Sequence, residues 1–122
     1  MKHGYLGVAQ MRFAEILWRE APLGSGELVK ICEKELNWKK STTYTVLRKL
    51  CEQGIFQNKD GVITVLITKE NFIANRTENF IEETFDGSLP AFLAAFTQRK
   101  QLSPEDIAKL QEMIDHYGET NS

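Results

Sequence analysis

The sequence predicts a mainly α chain of the α+β class in two parts. Residues 1–68 read as a small domain of three helices closed by a β-hairpin, and residues 69–122 as a run of amphipathic helices. Three observations carry this. Apolar residues recur at three- and four-residue spacing in three successive early segments. Asp60-Gly61 lies between two β-prone runs, a strong hairpin signal. Charge divides with the fold: residues 1–68 hold ten Lys/Arg against seven Asp/Glu, residues 69–122 five against ten, within a net of only −2. Helix, helix, helix, hairpin is the order of a winged helix-turn-helix, the hairpin being a two-stranded wing.

The first helix follows from Met11, Ala14, Ile16, Leu17 and Trp18 between Val8 and Arg19, and Pro22 and Gly24 end it. Ser25 or Gly24 caps a second helix reaching about Leu36, with Leu28, Val29, Ile31 and Cys32 inward. After a short link through Asn37 and Trp38, a third helix runs from about Ser41 to Gln53 and stops at Gly54. Ile55-Phe56-Gln57 and Val62 to Thr68 form the hairpin strands. Residues 69–86 return to helix around Phe72, Ile73, Phe80, Ile81 and Phe85 until Gly87 interrupts. Ser88 then caps a helix with Leu89, Phe92, Leu93 and Phe96 at i, i+3, i+4 and i+7. Ser103-Pro104-Glu105-Asp106 is a well-signalled helix start, followed by Ile107, Leu110, Ile114 and Tyr117. Gly118 to Ser122 is expected to fray.

Several function classes are excluded. No apolar run approaches the roughly 18–20 residues of a membrane helix. Met1 to Gly7 lacks the apolar core of a secretory signal, so the chain is expected in the cytoplasm. Cys32 and Cys51 have neither disulfide-framework nor metal-site spacing and read as small helix residues. His3 and His116 stand apart from any nucleophile, and no glycine-rich phosphate loop, HExxH or serine elbow is present. Glu82-Glu83 and Glu105-Asp106 read as solvated or first-turn acids. Neither an enzyme nor a cofactor or metal is expected.

The third helix carries the functional signal. At 100° per residue Thr43, Leu47, Leu50 and Cys51 share one face, with Tyr44 beside them. The opposite face holds Thr42, Thr45, Lys49 and Glu52, flanked by Ser41 and Arg48. Short hydroxyls among cations suit a surface lying in the major groove of DNA, where Ser and Thr reach base edges or phosphates and Thr methyls meet thymine. Residues 37–50 contain Lys39, Lys40, Arg48 and Lys49 and no acid. The same pattern on a solvated amphipathic helix would have no ligand, and a protein-interaction adaptor that keeps the fold without binding DNA is the competing reading. Lys59 at the wing tip is placed to meet a phosphate or the minor groove, although hairpin lysines are more often simply solvated.

Three apolar helix faces after a complete small domain need a partner. They either fold back on that domain or pair with the same helices of a second chain. The expected dimer face comprises Phe72, Ile73, Phe80, Ile81, Phe85, Leu89, Phe92, Leu93, Phe96, Ile107, Leu110 and Ile114. A two-fold dimer would present two third helices to one palindrome.

These residues also resemble a known family. Ala14-Glu15-Ile16-Leu17-Trp18, then Trp38 through Thr42 with Leu47, Leu50 and Gly54, then Phe85-Asp86-Gly87-Ser88-Leu89, Phe96 and Leu102-Ser103-Pro104-Glu105-Asp106-Ile107 are similar to the penicillinase-repressor (BlaI/MecI) family over about residues 8–117. The resemblance implies a homodimer, a double-stranded operator of dyad symmetry and repression of nearby genes. It also implies release by a sensor-controlled protease cutting before a phenylalanine of the dimerisation domain, matching Ala95–Phe96 here. The chain departs from the family where Trp-Ser-Pro-Lys-Thr is replaced by Trp38-Lys39-Lys40-Ser41-Thr42, which moves the expected helix cap to Ser41. Ala95 stands where antibiotic-responsive members have Asn, Val62-Ile63-Thr64-Val65 replaces a wing that often carries Arg and Tyr, and the C-terminal cysteine cluster of copper-responsive relatives is missing.

Overall fold

A computed structural model of the chain describes residues 6–121; His3 lies outside them. The elements are α1 (Val8–Glu20), β1 (Leu23–Gly24), α2 (Ser25–Leu36), α3 (Lys40–Glu52), β2 (Phe56–Lys59), β3 (Val62–Val65), α4 (Lys69–Phe85), α5 (Leu89–Arg99) and α6 (Pro104–Asn121). The order is that of a winged helix-turn-helix followed by helices. None of the described helices is long and apolar enough to cross a membrane.

The chain divides into two compact units, one ending at Asn79 and one beginning at Phe80, with α4 running through the division. The first unit is built around α1 to α3. Leu17, Leu28, Cys32, Leu47, Leu50, Ile55, Phe56 and Ile63 are fully or almost fully removed from solvent. Phe13 joins them at the centre and stacks on Trp38, ring centroids 5.4 Å apart. Trp18 tilts against both Phe56 and Phe72 at 5.5 Å, and its indole N–H donates to the Ile67 carbonyl at 2.9 Å. The two tryptophans that mark the family resemblance are therefore packing residues. Phe72 was expected at a dimer face; it is instead fully buried in the first unit's core. The chain's own Trp18 covers it, and the Arg76 guanidinium lies 5.7 Å over its ring.

The wing has three strands rather than the expected two, in the order β1-β3-β2. Leu23 and Gly24 pair antiparallel with Ile63 and Val62. Two residues have no periodicity to read, so only the tertiary structure declares β1. The predicted hairpin turn stands: Lys59 pairs with Val62 across Asp60-Gly61. Both turn residues have positive φ, 52° and 84°, as a two-residue turn matched to strand twist requires. Asn58 Oδ1 accepts the Gly61 N–H at 3.1 Å.

In the second unit, Ser88 Oγ accepts the Ala91 N–H at 3.0 Å at the start of α5, and Ser103 Oγ accepts the Asp106 N–H at 3.0 Å at the start of α6. Phe80, Phe85 and Phe92 meet edge to face with centroids 5.7–6.3 Å apart, a favoured aromatic geometry. The C-terminal segment from Gly118, expected to fray, continues as helix to Asn121. Thr120 Oγ1 donates to the His116 carbonyl at 2.7 Å, one turn back, and helps hold the last turn.

Candidate nucleic-acid interface

The core sets the orientation of α3. Thr43, Leu47 and Leu50 are buried and Tyr44, Val46 and Cys51 are partly buried, which fixes one face inward. Ser41, Thr42, Thr45, Arg48, Lys49 and Glu52 are exposed on the remainder, as are Lys39 and Lys40. The helix begins one residue earlier than expected. Lys39 is the N-cap and Ser41 lies within the first turn, so the cap has not moved to Ser41. No side chain caps this end and no acid occupies its first turn, which leaves the positive end of the helix dipole beside two lysines.

Two other cations of the first unit, Arg19 and Lys69, are engaged by acids. Arg19 Nη2 reaches Glu35 Oε2 at 2.6 Å and its Nε reaches Glu20 Oε2 at 2.8 Å; Lys69 Nζ lies 3.4 Å from Glu15 Oε1. Among the described residues Lys39, Lys40, Arg48 and Lys49 have no such partner. Their charge is available to an external anion.

A short relay links α3 to the wing through the start of α2. Tyr44 Oη lies 3.4 Å from Ser25 Oγ, at the first residue of α2, and the Ser25 N–H donates to the Gly61 carbonyl at 2.8 Å in the wing turn. The Gly54 N–H, at φ 78°, closes the end of α3 on the Cys51 carbonyl at 2.9 Å. Sequence patterning placed Tyr44 only beside the buried face; nothing in its spacing revealed the link through Ser25 to the wing. Lys59 ends β2 and is exposed, while Val62, Val65 and Leu66 give the wing an exposed apolar character.

Behind the outward face, burial pushes the Cys32 thiol up to about 11, the Thr43 side chain offsetting part of the rise. Burial also raises Cys51, against a hydrogen bond with the Asn58 backbone. Both folded thiols hold their protons above the pH at which an unfolded thiol releases its own. The thiols' contribution to folding stability is therefore expected to be level below about pH 9 and to fall as pH climbs toward 11. Denaturant midpoints measured across that window check the sign, and Cys32→Ala should flatten most of the fall.

The second unit carries the remaining predicted residues. Phe80, Leu89, Leu93, Phe96, Ile107 and Ile114 are exposed, and Ile81, Phe85, Phe92 and Leu110 are partly buried. Ile73 belongs to the first unit and is exposed on α4. Met113 and Tyr117 extend the exposed apolar surface of α6; Met113, three residues after Leu110 and four before Tyr117, fits the same spacing and was missed in favour of its neighbour Ile114. Ala95 and Phe96 lie within α5, both exposed. Among the described residues, no group of three His, Cys, Asp or Glu comes together to hold a metal.

Comparison with known proteins agrees with this architecture. Residues 6–116 match the penicillinase repressor family. The chain is 24% identical to the penicillinase repressor of Bacillus licheniformis, over 89% of this chain and 88% of that protein. It is 20% identical to the methicillin resistance regulatory protein MecI of Staphylococcus aureus strain N315, over 88% and 90%. It is also 24% identical to an uncharacterized 16.5 kDa protein of Latilactobacillus sakei, over 81% and 70%. Since the family match runs from two residues before α1 into α6, the chain belongs to the penicillinase repressor family, whose members are transcription regulators rather than enzymes.

Proposed function

We propose that the chain is a cytoplasmic, homodimeric repressor that binds a palindromic operator through α3. The observation that carries this is the outward face of α3. It presents Ser41, Thr42 and Thr45 among Lys39, Lys40, Arg48 and Lys49, no acid before Glu52, and cations that no acid of the first unit neutralises. A helix of this kind enters the major groove with its N-terminal half toward the bases. Lys39 and Lys40, at the uncapped end, meet phosphate, and Lys59 adds a contact from the wing. The exposed apolar side chains of the second unit, Phe80, Leu89, Phe96, Ile107 and Ile114 among them, are the surface for a second copy, because large apolar side chains left exposed in such number mark an interaction site. Selection of bound sequences from a random DNA pool tests the reading: a palindromic consensus is expected. Recovery of no consensus, with binding insensitive to salt, would favour the adaptor.

The same reading includes a release step at the Ala95–Phe96 bond. A cut there would separate α6 from α4. Ile107, Leu110 and Ile114 would leave the dimer, each worth roughly 1.5–3 kcal/mol if fully buried there. Dimerisation would weaken by several powers of ten, since about 1.4 kcal/mol is tenfold. The bond lies in a helix, so local unwinding must precede attack. Mass spectrometry of the chain in its native cell under cell-wall antibiotics should reveal a fragment ending at Ala95. Operator release with every chain intact would replace cleavage by a ligand or a change in repressor level.

A further inference from the structure

Two threonines face outward on α3, and the structure gives Thr45 a distinct chemistry. Thr45 lies about 200° around the helix from buried Thr43, almost opposite the core and on the midline of the exposed face. Its hydroxyl donates to the Ser41 carbonyl one turn back, at 2.9 Å. That bond uses its only hydrogen, which leaves a γ-methyl and an acceptor oxygen for anything lying against the helix. Thr42 has no such bond among the described residues, so its donor stays available.

We infer that Thr45 is a specificity-determining residue that reads the C5-methyl of a thymine through its own methyl group. This inference rests on the proposed docking of α3 in the major groove. There the thymine methyl is the one apolar feature among the base edges, and a side chain whose donor is already used gains most by meeting it. Acceptance of an adenine or cytosine amino proton by the Thr45 oxygen would be a different chemistry and predicts different variants.

The experiment uses the full chain and the operator selected from the random pool, with each thymine of both half-sites replaced in turn by deoxyuridine, which lacks only the methyl. One thymine position per half-site is expected to weaken wild-type binding by about fourfold per half-site, and so about fifteenfold for the dimer, the loss appropriate to one buried methyl. Thr45→Ser, which keeps the hydroxyl and loses the methyl, should lose a similar amount on the thymine operator and be indifferent to deoxyuridine at that position. Thr45→Val, which keeps methyls and loses the hydroxyl, should retain both affinity and discrimination. Equal losses in the serine and valine variants, or continued discrimination by the serine variant, would overturn the assignment. Absence of operator binding by the wild-type chain would instead defeat the groove-binding reading itself.

Discussion

Replacing both Arg48 and Lys49 by alanine is expected to abolish operator binding at physiological salt while leaving the helical circular dichroism unchanged. Both side chains are exposed on α3, and the buried face of the helix consists of Thr43, Leu47 and Leu50. Substitutions on such a surface change stability by no more than about 0.5 kcal/mol. Their effect on binding is of another size. An arginine reaching a base edge contributes roughly 1–3 kcal/mol, and each phosphate cation lost reduces the salt slope by about one. A dimer loses four cations at once, which amounts to about three powers of ten or more at fixed salt. Titration of labelled operator at several salt concentrations separates the two contributions. Undiminished binding at moderate salt would remove this face from the interface.

Ending the chain at Thr68 is expected to destabilise the first unit severely, whereas ending it at Asn79 should leave a folded monomer. The difference is Phe72, which is fully buried and lies 5.5 Å from the Trp18 ring. Truncating a core phenylalanine costs about 3–5 kcal/mol. The whole stability of a small domain is about 5–15 kcal/mol. For a domain of this size that loss lowers the melting temperature by tens of degrees, at about 4–8 °C per kcal/mol. Thermal melts of the two truncations and of the full-length Phe72→Ala variant measure it. The chain ending at Asn79 retains α3 and the wing but lacks α5 and α6, so it should bind half-sites weakly. The full chain should sediment as a dimer at micromolar concentration. A stable chain ending at Thr68 would contradict the role of Phe72, and a full-length monomer would contradict the dimer.

The contrast between Phe72 and Phe80 marks the boundary between sequence and structure. Both stand on α4 and both read as apolar positions of one amphipathic helix. Periodicity says that such residues must be covered but not by what. Trp18, more than fifty positions away in sequence, covers Phe72; Phe80 packs with Phe85 and Phe92 and remains about half exposed. Phe13, three residues before Ile16 and four before Leu17, shares their buried face, and its partner Trp38, from the link before α3, is the part that spacing does not show.

By itself the sequence determined what depends on neighbours within a turn or two. The helices of the first unit, the Asp60-Gly61 turn, the caps at Ser88 and Ser103 and the inward and outward faces of α3 all follow from local spacing and turn chemistry. The cations and hydroxyls of the candidate interface were legible for that reason: one helix carries nearly all of them. The tertiary structure alone decided β1, the start of α3 at Lys40, the link from Tyr44 through Ser25 to the wing, and the side of the unit boundary on which Phe72 lies. All but the start of α3 depend on partners distant in the chain. A two-residue strand exists only because β3 supplies its hydrogen bonds, and a phenylalanine belongs to whichever core offers aromatic rings at van der Waals distance.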